Sequence, residues 1–165
     1  MNIEQYTYYE SPIGRILLAG TNDTLLLLSL PEGKMQREPQ GTWHYNPNAF
    51  SDCKAQLNEY FAGKRKVFNV NYVLQGTEFQ QLVLKRVAAI PYGQTASYSD
   101  IAQQIEQPKA VRAIGGANAT NPLPIIIPCH RVIGKNGALT GFGGGLQTKG
   151  YLLNLEAALP SSYNG

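Results

Sequence analysis

Short apolar runs broken by turn-forming residues fill the first thirty positions of the chain. Tyr6 to Tyr9, Arg15 to Ala19 and Thr24 to Leu30 read as three strands, separated by Ser11-Pro12-Ile13-Gly14 and by Thr21-Asn22-Asp23. A small antiparallel meander is predicted. The period then changes, because Phe50, Cys53, Leu57, Tyr60 and Phe61 recur at helical spacing. That stripe puts Cys53 inside a helix packing face, where a free cysteine behaves as a small hydrophobe. The stretch Val67 to Val73 is expected to add a further strand to the sheet.

Beyond Gly76 the pattern turns helical. Thr77 is a predicted N-cap, followed by Phe79, Leu82, Val83, Arg86 and Val87 along one helix that Pro91-Tyr92-Gly93 brings to an end. Ser97, three residues before Asp100, opens a short helix with Ile101, Ala102 and Ile105. Glu106-Gln107-Pro108 forms a turn, and Lys109 to Ala117 makes a second short helix. Two short helices around such a turn have the shape of a helix-turn-helix. The chain therefore divides into a support domain over 1–76 and a mainly helical domain over 77–165.

One segment carries most of the chemistry. Ile125-Ile126-Ile127 is a run of β-branched residues that favours a buried strand, and Pro128 should end it with Cys129 at its tip. His130 and Arg131 follow directly. A reactive thiol needs a base or a positive charge beside it. Cys-His adjacency alone, however, leaves a packing role for Cys129 open.

Composition narrows the setting. The chain has 165 residues, 43% hydrophobic and 15% charged, so it is long enough for a real core and is not disordered. Its apolar stretches are far shorter than a membrane span, and the N-terminus lacks a signal-like segment. Two distant cysteines suit a reducing compartment, so a cytoplasmic location is expected. With His44 and His130 alone, and no Cys-x-x-Cys pair, no metal site is expected. Residues 1–76 carry seven basic and seven acidic side chains, while 77–165 carry seven against four. The excess of +3 falls on the half that holds the helix-turn-helix, although a solvated basic face would explain it equally well. Within that motif, Lys109-Ala110-Val111-Arg112-Ala113-Ile114-Gly115-Gly116-Ala117 lacks an array of base-reading side chains. Its small residues suit a close approach to a minor groove, or simply close helix packing.

Together these segments resemble a known family, the O6-alkylguanine-DNA alkyltransferases, or methylated-DNA-protein-cysteine methyltransferases. The likeness rests on Ile90-Pro91-Tyr92-Gly93 with Ser97-Tyr98, Arg112 to Asn118, Asn121-Pro122, Ile127 to Val132, Gly144-Gly145, and Leu152-Leu153 running to Glu156. It implies an α+β fold, with a ribonuclease-H-like N-terminal sheet and helix followed by a winged helix-turn-helix-like domain. It also implies a monomer without cofactor that repairs double-stranded DNA by direct reversal. The alkyl group of O6-alkylguanine, with O4-alkylthymine as a further candidate, would pass irreversibly to Cys129 after the base is flipped out.

The same resemblance assigns roles. His130 would take the thiol proton through a water, Glu156 would hold the imidazole, Tyr98 would donate to the guanine ring, and Asn121 would brace the active-site turn. Arg112 would enter the base stack, with Lys109, Ala110, Val111, Ala113 and Gly115 along the minor-groove face. Val132, Phe142, Gly143, Gly144 and Pro124 would line the substrate pocket, Val132 offering its carbonyl to the base. The glycines from Gly141 to Gly145 would let backbone amides come close to the purine. Arg131 reads as a tether for the Cys129 turn. Seen alone, Glu156 is a solvated carboxylate and Tyr98 a packing residue.

Some positions depart from the family pattern. Phe142 stands where tyrosine is usual, Gly143 where serine or alanine is frequent, and Gly150-Tyr151 in place of Glu-Trp. Pro124, at the pocket mouth, is expected to favour bulky alkyl groups. Two other functions compete with transfer. One is a protein that only flags lesions, whose representatives carry tryptophan at the cysteine position; the other is a cysteine hydrolase, which would turn over.

Overall fold

The computed structural model describes residues 1–139 and 142–158. The fold is α+β. Strands β1 (Gln5–Ser11), β2 (Gly14–Thr21) and β3 (Thr24–Ser29) form the meander, both hairpins antiparallel. A two-residue strand, β4 (His44–Tyr45), pairs parallel with β1 and completes the sheet in the order β3-β2-β1-β4. Two residues are too few to show a period, so this strand left no trace in the hydrophobic pattern.

The sheet alternates as strands with one buried face should. Tyr9, Ile16, Leu18, Leu25 and Leu28 point into the main core, whereas Leu17, Ala19 and Leu27 lie under Tyr6, Tyr8 and Trp43 on the other side. Helix α1 (Ser51–Phe61) covers the core face, with Cys53, Leu57 and Tyr60 buried. Burial pushes the Cys53 thiol up to about 12, helped by Asp52. This cysteine is an inert packing residue.

The expected strand over 67–73 does not form. The segment is extended, but it touches the sheet through a single bridge between Leu25 and Tyr72. At Asn69 the backbone bonds to a side chain instead of a ladder: Gln56 of α1 donates to the Asn69 carbonyl at 3.0 Å and accepts from its N–H at 2.8 Å. A backbone group satisfied by a buried amide has no need of a neighbouring strand.

The second half begins with α2 (Glu78–Ala88), capped by the Thr77 side chain, which accepts from the Gln80 N–H. Strand β5 (Ala96–Ser97) leads into α3 (Tyr98–Gln104), where Ser97 and Asp100 form a reciprocal capping box. Helix α4 (Val111–Ala119) completes the helix-turn-helix. It starts two residues later than expected: Ala110 donates to the Gln107 carbonyl at 2.9 Å, so Lys109 stays in the turn and Ala110 is the cap. Strand β6 (Val132–Ile133) pairs parallel with β5, and α5 (Leu146–Leu155) closes the described chain.

Ile125-Ile126-Ile127, expected as a strand, is a buried turn. Ile125 lies in the left-handed region at φ 73°, a strained place for a β-branched residue, and Ile127 donates back to the Leu123 carbonyl at 2.8 Å. Burial of the three side chains overrides their preference for extended backbone. One core is shared by both halves: Leu28 of β3 donates to the Pro122 carbonyl at 2.9 Å, so the edge of the sheet holds the turn that precedes the cysteine.

Because Ser97 supplies both an N-cap and the position of the next residue, Ser97→Ala should lower the unfolding free energy by about 1 kcal/mol. Equilibrium urea denaturation of the two proteins measures it.

Candidate active site

Cys129 is held by its backbone before any side chain is considered. Pro128 adopts φ −78°, ψ 65°, and the Cys129 N–H donates across it to the Ile127 carbonyl at 2.7 Å, an inverse γ-turn. A three-residue 3-10 turn, Cys129–Arg131, follows. Asn121 donates through Nδ2 to the Ile127 carbonyl at 2.8 Å and accepts the Leu123 N–H at 2.9 Å. Asn118 donates to the carbonyl of Cys129 itself at 3.1 Å. Two amides thus clamp the carbonyls on either side of Pro128, and the nucleophile has little room to move.

The residues after the cysteine converge on one carboxylate. His130 Nε2 lies 2.7 Å from Glu156 Oε2, while Arg131 donates to Oε1 from Nε at 2.8 Å and to Oε2 at 3.1 Å. The Tyr60 hydroxyl, from α1, donates to Oε2 at 2.5 Å. Arg131 also donates to the Ile90 carbonyl at 2.7 Å. It is buried and tied to the protein on both sides. Glu156 itself is the C-cap residue of α5 and is buried, unlike the solvated carboxylate its position alone suggests.

Charge follows from these contacts. Burial alone would raise the Glu156 carboxyl, but the hydrogen bonds from His130, Arg131 and Tyr60 outweigh it and hold the group at about 2. An ionised carboxylate can only accept, so the proton shared with His130 sits on Nε2. His130 Nδ1 is therefore left as a lone pair; it is buried and has no hydrogen-bonding partner among the described residues. Burial lowers the imidazole pKa, partly offset by Glu156, and the ring rests neutral. It is a base held ready.

The thiol rests protonated. Burial pushes Cys129 up to about 11, against the lowering effects of the Asn121 side chain and the Lys149 charge. A preformed thiolate is thus not the resting species, and reaction requires a partner that accepts the proton. Lys149, on α5, is fully buried and donates to the Val132 carbonyl at 2.5 Å; burial brings its ammonium down to about 8. The sequence pattern passed over this residue, because a lysine amid Gln147-Thr148-Lys149-Gly150 looks solvated.

Beside Cys129 lies a cavity lined by Leu28, Leu30, Met35, Asn121, Pro124, Phe142, Gly143 and Gly144. Four of the five expected pocket residues meet there. Val132 does not line it, and its carbonyl already accepts from Lys149. The glycines have a further reason: a Cβ on Gly143 would come within 2.3 Å of the Ala119 carbonyl oxygen and 2.6 Å of Met35 Cγ, and one on Gly144 within 2.4 Å of Leu30. Close packing of the protein against itself accounts for these two glycines, whereas Gly145 has open space around it and adopts φ 95°. Gly141 lies outside the described residues.

Tyr98 heads α3, and its ring lies 3.9 Å from where a Cβ on Gly115 would stand. Arg112 and Ala113 are exposed on α4, as are Val111 and, before the helix, Lys109; Ala110 and Gly115 are half-buried. The strip carries mostly small side chains, with Arg112 as the long cation of α4 and Lys109 just before the helix.

A buried Cys-His-Glu array beside a helix-turn-helix defines a cysteine-nucleophile protein with a candidate nucleic-acid face. The family profile described as 6-O-methylguanine DNA methyltransferase, DNA binding domain, matches residues 78–158, and its ribonuclease-like domain matches 5–72. The methylated-DNA–protein-cysteine methyltransferase of Methanosarcina acetivorans is 48% identical over 93% of this chain and 98% of its own. That of Mycobacterium tuberculosis is 51% identical over 92% of this chain and 91% of its own. The crystal structure of Mycobacterium tuberculosis OGT in complex with DNA superposes with a TM-score of 0.87 at 47% identity, covering 96% of both chains. The chain belongs to the 6-O-methylguanine DNA methyltransferase family.

Acid should expose this electrostatic arrangement. Glu156 is depressed to about 2 when folded. It therefore adds stability that is complete above its unfolded pKa, about 4.3, and is lost as pH falls toward the folded value. His130 is also depressed, so below about 6.5 the unfolded chain takes up its proton first and stability again falls with pH. Urea unfolding across pH should show both declines, and Glu156→Gln should flatten the lower one, which is on the order of 3 kcal/mol.

Proposed function

We propose that this protein repairs double-stranded DNA by direct reversal, moving the alkyl group of O6-alkylguanine onto its own Cys129 once and irreversibly. The observation that carries the reading is the buried Cys129 beside the His130–Glu156 pair, at the wall of the small cavity that Pro124, Phe142, Gly143 and Gly144 line. O4-alkylthymine is a further candidate substrate of the same chemistry. The lesion-flagging alternative is not favoured, because a nucleophile occupies the reactive position.

The reaction balances simply. Cys129 gives its proton to His130 Nδ1 through a bridging water, and Glu156 stabilises the imidazolium that forms. The sulfur then attacks the saturated carbon in line, forming the S–C bond as the C–O6 bond breaks and the electron pair passes to guanine. Tyr98 donates to the ring as its negative charge develops, and the proton released from the thiol ends on the restored base. Asn121 keeps the Cys129 turn in place, and Lys149 supplies positive charge to the thiolate.

The target atom is inside the duplex, so the base must leave the stack. The face carrying Arg112, with Lys109, Ala110, Val111, Ala113 and Gly115, enters the minor groove, and Arg112 fills the space left by the base. Pro124, Phe142, Gly143 and Gly144 surround the alkyl group, while Val132, whose carbonyl is occupied by Lys149, stays outside the pocket. Phe142 and Gly143 offer no hydroxyl, so that wall is apolar. Residues 1–76 act as the support domain and 77–165 as the DNA-binding and transfer domain. The family resemblance implies action as a monomer. Among the described residues no helix is long and apolar enough to cross a membrane. Two free cysteines, one of them the nucleophile, point to a reducing cytoplasmic setting.

Incubation with a duplex containing O6-methylguanine should add one methyl group per protein, located on Cys129 by peptide mass spectrometry. Cys129→Ser should show none; undiminished repair by that variant would end the reading. Arg112→Ala should slow transfer from duplex DNA by at least about tenfold while leaving transfer from the free base within about twofold, since only the duplex requires extrusion. Single-turnover kinetics on the two substrates separate these effects.

A further inference from the structure

Tyr60 takes part in no step of the reaction proposed above, yet it belongs to the site. It lies in the N-terminal half, on α1, fully buried with its ring against Phe61, Phe68 and Tyr92. Its hydroxyl donates to Glu156 Oε2, the same oxygen that holds His130. Packing explains the ring but not the direction of the hydroxyl.

We infer that Tyr60 is a positioning residue of the alkyl-transfer reaction: its hydroxyl fixes the Glu156 carboxylate and sets how readily His130 takes the thiol proton. The inference rests on the transfer reading above. An outer partner of this kind governs the basicity of the group it touches. Each donor that neutralises Oε2 weakens the pull of Glu156 on the imidazolium, so Tyr60 tempers the base while holding its partner in place. Tyr60 can do this at any working pH, because burial and the adjacent carboxylate raise its own pKa far beyond the ordinary phenol. The other charged or titratable groups around the pair are few: Arg131 beside Glu156 and His130, Tyr92 facing Glu156, and Lys149 facing His130. None of them comes from the N-terminal half before Gly76.

Tyr60→Phe keeps the ring and removes the hydroxyl. The test follows the single-turnover rate of Cys129 alkylation against pH, once with O6-methylguanine duplex and once with methyl iodide, which needs no DNA. With the restraint gone, His130 should protonate more readily, moving the low-pH limb of both profiles upward by about half a pH unit. Replacing Tyr60 with 3-fluorotyrosine, a stronger donor of nearly the same shape, should move the limb downward. In a Glu156→Gln background, Tyr60→Phe should no longer move it. Profiles that superimpose, a rate change equal at every pH, or an effect that survives in the Glu156→Gln background would each overturn the proposal. Should the phenylalanine variant fail to fold, the fluorotyrosine profile decides alone. A shifted methyl iodide profile in a protein that leaves alkylated DNA untouched would sink the transfer reading and leave Tyr60 its role.

Discussion

A carboxylate buried as deeply as Glu156 persists only if its charge is met on every side. Four hydrogen bonds meet it, one from His130, two from Arg131 and one from Tyr60. An ion left unpaired at this depth would cost several kcal/mol, so each donor is needed for the others to be worthwhile. The active site inherits its geometry from that requirement. His130 is oriented because Glu156 must be satisfied, and its remaining nitrogen is basic because the first is committed.

The same logic explains why a reactive sulfur rests unreactive. Burial suppresses the thiolate more strongly than Asn121 and Lys149 favour it. On the single-turnover reading proposed above, such restraint is useful, since every stray alkylation would consume a molecule. Reactivity is conditional on the neutral imidazole nearby, whose own neutrality comes from the same burial. Protection and activation are consequences of one dry environment.

Much of this was legible in the amino-acid sequence. The three-strand meander, the α1 stripe and the Ser97 capping box follow from local periodicity, and the structure has all three. Three things were not. Ile125-Ile126-Ile127 looks like a strand because β-branched residues prefer one, yet its conformation is decided by Asn121, Leu123 and the surrounding core. The 67–73 segment looks like a strand because nothing local reveals that Gln56 will bond to Asn69. Tyr60 and Lys149 look like a core aromatic and a surface cation, since a side chain's partner across 96 or 17 residues leaves no mark on its neighbours. Local physics writes elements into a chain plainly and tertiary partners hardly at all. The pairing of Glu156 with His130 could be anticipated only through family resemblance, and the role proposed for Tyr98 rests on that resemblance alone.

The hydrogen bond from the β3 edge to the Pro122 carbonyl has a consequence for how such a chain can be divided. A helix-turn-helix is commonly a portable module that keeps its shape when transplanted. Here the turn carrying the nucleophile is fastened to a strand laid down nearly a hundred residues earlier. Excision of the C-terminal half would bare an apolar seam and sever that fastening, so the catalytic portion is not expected to hold its shape as a free-standing cassette.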